Sequence, residues 1–174
     1  MPMIGQPAPQ FTANAVVGKG DVKEISLSDY SGKYVVLFFY PLDFTFVCPT
    51  ELTQFKEKLS EFEECGAVVL GVSVDSVYSH KRWIKDDLGP LEYPLVSDMT
   101  KQISRDYGVL LQDKGISTRG TFIIDPEGKI QHISINNLDV GRDVNEILRI
   151  LSGLKSGELC GAGWRPGDEH LAPS

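Results

Sequence analysis

The 174-residue sequence is poor in cysteine, in histidine and in clustered positive charge, and it has no long apolar run. Its three cysteines, Cys48, Cys65 and Cys160, are an odd and sparse set. That argues against a secreted disulfide scaffold and makes a reducing cytosol, a cytoplasmic location, the expected compartment. No apolar stretch approaches the roughly 20 residues needed to cross a bilayer, so no membrane role is expected. The start, Met1-Pro-Met-Ile-Gly-Gln-Pro-Ala-Pro9, shows neither the basic nor the apolar region of a secretory signal. The formal net charge is -7 and the longest Lys/Arg cluster is Lys81-Arg82, which excludes nucleic acid as a partner on electrostatic grounds. His80, His132 and His170 are scattered and pair with no cysteine at metal-ligand spacing, so no metal is expected. Neither a P-loop nor a Gly-x-Gly-x-x-Gly is present, and no bound nucleotide, flavin or other cofactor is expected.

The length suits one domain with a sizeable core. No repeat is visible. The one shift in composition is the Gly/Pro-rich tail, which divides a folded body, residues 1–154, from an arm, residues 155–174. Ala15 to Val17 and Val22 to Ile25 flank Gly18-Lys-Gly-Asp21 and predict an N-terminal hairpin. Tyr34 to Tyr40 is a continuous apolar run, a strand buried on both faces. From Pro49, apolar residues fall at Leu52, Phe55, Leu59 and Phe62, one stripe of a helix closed by Gly66. Ala67 to Val74 predicts the next buried strand, and Val77 to Leu88 a helix ending at Gly89-Pro90, with Trp83 and Tyr78 in its core. Leu95-Val96 is a short strand and Lys101 to Tyr107 a short helix. Gly120 to Asp125 and Lys129 to Ile135 are strands joined by the turn Asp125-Pro-Glu-Gly128. Asp143 to Leu154 is the last helix, with Asp143 and Glu146 as a capping box and Val144, Ile147, Leu148 and Leu151 facing the core. This order predicts an α/β fold, a mixed central sheet flanked by helices.

Reactive groups in such sheets gather at the carboxyl ends of the strands. Cys48 lies there, inside Pro41-Leu-Asp-Phe-Thr-Phe-Val-Cys-Pro-Thr-Glu51. A thiol in the first turn of a helix faces unpaired backbone N–H groups and the positive end of the dipole, so the nucleophilic thiolate is favoured. Thr45, three residues earlier, can turn its hydroxyl toward the sulfur or a bound oxygen. Pro41 and Pro49 stiffen the loop, and Glu51 can orient a cation. Cys65 closes the helix that Cys48 opens, on the order of 25 Å away at 1.5 Å per residue, too far for a bond within the chain.

The segment from Phe38 to Glu51 resembles the peroxidatic motif of the typical 2-Cys peroxiredoxins, the thioredoxin-like branch that includes alkyl hydroperoxide reductase peroxidases and thioredoxin peroxidases. The resemblance covers nearly the whole chain. Gly5 to Phe11 looks like the family's opening, Asp75 to Trp83 like its second helix, Gly115 to Asp125 like the strand carrying its arginine, and Gly157 to Trp164 like its resolving-cysteine segment. It implies a thioredoxin-like fold and a thiol-dependent peroxidase that reduces hydrogen peroxide and organic hydroperoxides through a Cys48 sulfenic acid. It also implies catalytic roles for Thr45, Arg119 and Pro41, with Glu51 and Arg142 orienting the arginine. Thr45 stands where a thioredoxin has the first cysteine of Cys-x-x-Cys, so the partner must be distant. By resemblance it is Cys160 of a neighbouring chain, reached after the turn around Cys48 unwinds; the residues themselves fit an intrachain bond as well.

The resemblance further implies a homodimer, paired across the edge Gln131 to Ile135, that assembles to a decamer through the region of Phe44, Tyr78 and Trp83. The electron donor is thioredoxin or a flavoprotein disulfide reductase. The alternatives are a thioredoxin-like disulfide oxidoreductase or a secondary holdase role. Three departures stand out. Cys160-Gly-Ala replaces the family's Cys-Pro-Ala. Asp86-Asp-Leu-Gly89 replaces Gly-Gly-Leu-Gly, and no Tyr-Phe helix follows, so resistance to overoxidation is expected.

Overall fold

A computed structural model describes residues 1–173. A seven-stranded sheet forms its centre, in the order β2-β1-β5-β4-β3-β8-β9. β3 (Tyr34–Phe39), β4 (Ala67–Ser73) and β5 (Leu91–Ser97) run parallel. The hairpin β1 (Thr12–Gly18) and β2 (Asp21–Ser26) joins β5 antiparallel. On the other side β8 (Arg119–Ile124) and β9 (Ile130–Asn136) run antiparallel, leaving β9 as an edge. The mixed α/β sheet and the N-terminal hairpin agree with the sequence pattern. A small antiparallel pair, β6 (Leu110–Leu111) and β7 (Ile116–Ser117), is an addition that two-residue strands were too short to announce.

β3 shows why the sheet is buried on both sides. Val36, Phe38 and Tyr40 point into one core with Leu52, Phe55, Phe62, Trp83 and Leu151. Val35, Leu37 and Phe39 point into a second core with Val72, Tyr107 and Phe122. A strand with apolar residues at every position satisfies both layers, as the period of two requires. The Phe38 and Phe55 rings stack at 4.2 Å across this interface. Gly71 of β4 lies beneath them. A Cβ there would meet Phe38 Cζ at 2.8 Å and Leu95 Cδ2 at 2.9 Å. Gly71→Ala is therefore expected to cost about 1–3 kcal/mol by overpacking, read as a lower midpoint in chemical denaturation.

The helices differ from expectation in detail. The stripe from Pro49 to Phe62 is not one helix. It breaks at Lys58, whose backbone (φ −96°, ψ 1°) separates α1 (Cys48–Glu57) from α2 (Leu59–Glu64). Burial survives because Leu52, Phe55, Leu59 and Phe62 keep facing the sheet across the break. The next helix, α3 (Val77–Trp83), widens into a π turn over Ile84–Leu88. Trp83 is buried as expected, but Tyr78 is 79% exposed. His80, Trp83 and Ile84 form the inward face of this turn, and Tyr78, two positions before His80, falls on the opposite side. β5 is a seven-residue strand where only Leu95-Val96 was expected, and α4 (Gln102–Asp106) follows it.

In α5 (Val144–Ser156), Asp143 accepts from the Asn145 and Glu146 backbone N–H groups. The reciprocal half of the capping box is absent. Glu146 instead takes two hydrogen bonds from Arg149, which hold its carboxyl below the usual range. Val144, Ile147 and Leu151 are buried, with Leu148 at the margin. α5 runs two residues past Leu154, and the arm is not loose. Arg149 donates to the Trp164 carbonyl at 2.9 Å, Leu159 and Leu171 form a bridge, and Trp164 is buried.

Candidate active site

The carboxyl end of β3 delivers the chain into the loop 40–47 and then to Cys48, the first residue of α1. Val47 caps that helix without a side-chain hydrogen bond, so the dipole's positive end is left to the cysteine and to Glu51. Pro49 occupies the second helical position, where its missing N–H breaks no bond. Cys48 is fully buried.

Arg119 opens β8, which runs antiparallel to β3, so the start of one strand meets the end of the other. This topology carries the arginine 71 residues along the chain to the thiol. Its Nη1 donates to Cys48 Sγ at 3.2 Å and to Glu51 Oε2 at 2.9 Å, and its Nε donates to the Leu138 carbonyl at 2.7 Å. Its Nη2 has no partner among the described residues, yet no buried polar side-chain atom there is left unsatisfied, so this donor faces solvent-accessible space.

Arg142 is also buried and is arranged differently. Its Nε donates to Glu51 Oε1, its Nη1 to the Gly120 carbonyl and Thr121 Oγ1, and its Nη2 to the Phe39 carbonyl and Glu51 Oε2. All five guanidinium hydrogens are thus engaged, and the Phe38 ring lies 5.2 Å below the Cζ atom. Burial pushes its pKa down; Glu51 is the main opposing influence. Glu51 in turn accepts four hydrogen bonds, two on each oxygen. Two cations, one carboxylate and one thiol share a water-poor site.

The structure brings together Cys48, Arg119, Glu51 and Arg142, four of the residues the sequence pointed to. Pro41 is buried at the start of the loop. Thr45 departs from the expected geometry. Its hydroxyl does not turn to the sulfur; it donates to the Leu42 carbonyl at 2.9 Å, closing the loop on itself. Its lone pairs remain able to accept.

Cys160 does not reach Cys48. It lies against the end of α5, 3.7 Å from Ser156 Oγ and 4.0 Å from the Gly153 carbonyl. Cys65 sits beside Ser152 Oγ at 3.7 Å. All three cysteines are free thiols.

A second buried group went unread in the sequence. Asp43 accepts from Tyr40 Oη at 2.7 Å and Ser79 Oγ at 2.8 Å, and its Oδ2 lies 2.7 Å from His80 Nδ1. The only sequence signal was an acid and a histidine inside apolar segments, where neither is buried without a partner.

A buried, cation-paired thiol at a helix start, on the carboxyl end of a mixed sheet, defines a thioredoxin-like thiol enzyme. Residues 4–133 match the AhpC/TSA family. The chain is 54% identical to the chloroplastic 2-Cys peroxiredoxin BAS1 of Spinacia oleracea, over 99% of this chain and 69% of the relative. It is 53% identical to peroxiredoxin-2 of Rattus norvegicus, over 98% of this chain and 90% of that one. Its fold matches the reduced 2-Cys peroxiredoxin of Plasmodium vivax with a TM-score of 0.94 at 43% identity, covering 98% of this chain and 93% of that chain. Mycobacterium tuberculosis AhpC matches with a TM-score of 0.85 at 41% identity, covering 94% and 98%. The chain belongs to the AhpC/TSA family and is a thiol-dependent peroxidase of the peroxiredoxin type.

Proposed function

We propose that Cys48 is the peroxide-reducing thiol and that Arg119 is its principal catalytic partner. The observation that carries this reading is the Arg119 fork: one arm donates to Cys48 Sγ and Glu51, while Nη2 is left for a substrate oxygen. The thiolate attacks the near oxygen of hydrogen peroxide or an organic hydroperoxide. The S–O bond forms as the O–O bond breaks, and the departing oxygen leaves as an anion that takes up a proton to give water or an alcohol. Donors fixed around that anion lower the barrier. Thr45 Oγ accepts a hydrogen bond from the protonated end of the peroxide, and Pro41 covers the sulfenic acid.

Resolution then needs a second thiol. α5 begins beside Glu51, and Cys160 rests near Gly153, nine residues further, on the order of 14 Å along the helix. With Cys48 also buried, a bond within the chain needs both ends to move, which supports the arm of a second subunit, residues 155–174, as the source of Cys160. The Cys160 thiol attacks the Cys48 sulfenic acid, the disulfide forms and water leaves. A dithiol donor, thioredoxin or a flavoprotein disulfide reductase, returns both cysteines to thiols. The absence of a second cysteine near Cys48 disfavours the disulfide-oxidoreductase alternative.

The open edge β9 supports a homodimer, and exposed Phe44, Phe46 and Tyr78 support further assembly to a decamer. The sparse, odd set of cysteines supports a reducing cytosol as the compartment. The test is one equivalent of hydrogen peroxide on reduced protein, followed by a non-reducing gel. Wild type is expected to run as a disulfide dimer, and Cys48→Ser and Cys160→Ser each as a monomer. An oxidised monomer in wild type would move resolution inside the chain, and unconsumed peroxide would end the reading.

A further inference from the structure

The loop between β3 and Cys48 is held in an unfavourable shape by a buried Asp–His contact away from the thiol. Phe44 adopts φ +57°, a left-handed conformation that a bulky residue keeps only when its surroundings impose it. Its neighbour Asp43 supplies the constraint. The Asp43 and His80 side chains are both fully buried and meet at 2.7 Å. His80 Nε2 faces the Val96 carbonyl at 3.2 Å and must donate, since a carbonyl only accepts. Nδ1 and Asp43 Oδ2 then hold one further proton between them, a charge-assisted bond in a dry site. The Tyr40 and Ser79 hydroxyls donate the carboxylate's other hydrogen bonds. The Asp43 N–H donates to Asp75 Oδ2, which also accepts from Ser73 Oγ. Tyr40, at the start of the loop, Asp75, in the β4–α3 connection, and His80, in α3, are the titratable groups that face Asp43. Asp43 thereby fastens the loop to the β4–α3 connection and to α3, two residues before Thr45 and five before Cys48.

We propose that Asp43 and His80 are a positioning pair that locks the loop in its peroxide-ready form. The strength of the lock sets the balance between attack on peroxide and release of Cys48 to the resolving thiol. This rests on the roles of Cys48 and Cys160 given above. Neither residue of the pair touches the sulfur; both act through the loop. Weakening the pair lets Phe44 relax, disorders the donors around Cys48 and eases unwinding of the first turn of α1. The two chemical steps should therefore respond in opposite directions, which a general loss of stability would not produce.

The experiment is rapid-quench mass spectrometry of reduced protein mixed with hydrogen peroxide, following loss of the Cys48 thiol and appearance of the disulfide separately. His80→Asn keeps a donor toward Asp43 but loses the Val96 link and the shared proton. It is expected to slow the peroxide step about tenfold and to speed the disulfide step severalfold, because misplaced catalytic donors are costly while unwinding becomes easier. Asp43→Asn should do the same. Ser79→Ala, a milder change at a half-buried position, should slow the peroxide step and speed the disulfide step by about twofold each. It decides the matter if the other two do not fold. Unchanged steps, or both steps slowed together, would overturn the lock while leaving the peroxidase reading intact. A wild-type Cys48 inert to peroxide would instead remove the reading on which the lock depends.

Discussion

Arg119→Lys is expected to lower the second-order rate of Cys48 with hydrogen peroxide by about 10²–10³-fold, while the protein stays folded. The reason is geometric. Arg119 serves three acceptors at once: Cys48 Sγ, Glu51 Oε2 and the Leu138 carbonyl, with Nη2 left over. A planar fork fixes these directions simultaneously, whereas an ammonium is a point charge on a flexible stem. Lysine keeps the cation near Glu51 but cannot also aim a donor at the position of the departing oxygen. Arg119→Met removes the charge as well and should be slower still. Stopped-flow or rapid-quench kinetics of the thiol with peroxide give the measurement. A lysine variant within threefold of wild type would show that net charge suffices and that the fork is unimportant.

The positions of these groups were partly legible in the sequence. Cys48 was, because a strand-to-helix junction with proline on both sides leaves its mark in adjacent residues. Arg119 and Glu51, and the orienting of one by the other, were legible only through the family pattern; the geometry of their contact was not. It depends on β8 running antiparallel to β3, a fact of topology that no local window contains. Arg142 illustrates the limit further. Its role was implied by the resemblance alone, and only the fold shows its five donors engaged by four residues. Asp43 and His80 left no periodic trace, since each is a single polar residue in an apolar setting and its partner lies 37 positions away. Thr45 shows the converse. Its spacing allowed a bond to the sulfur, but a carbonyl three residues back was nearer. The break at Lys58 was hidden because the apolar stripe passes through it undisturbed.

Glu51→Gln is expected to be the most destabilising single change in the site. The carboxylate stands between two buried guanidinium groups and accepts four hydrogen bonds. Removing its charge leaves Arg119 and Arg142 without their counter-ion, and the new amide presents hydrogens to donors. Breaking a buried pair in this way costs about 3–5 kcal/mol, a large part of the roughly 5–15 kcal/mol of a typical domain. The midpoint of thermal unfolding should fall on the order of 10 °C. Peroxide reactivity should fall too, because Arg119 loses the tether that aims it at Cys48. A second variant separates charge from packing. In Glu51→Gln with Arg142→Met, one uncompensated cation is gone, and a flexible apolar side chain lies on the Phe38 ring in its place. If uncompensated charge dominates, the double variant is more stable than Glu51→Gln alone, yet its peroxide step stays slow because Arg119 is still untethered. If the double variant is less stable, the clasp that Arg142 forms between β3, β8 and α1 outweighs the charge. Stability and activity therefore part company in this pair, as Glu51 has two separable tasks: neutralising Arg142 and aiming Arg119.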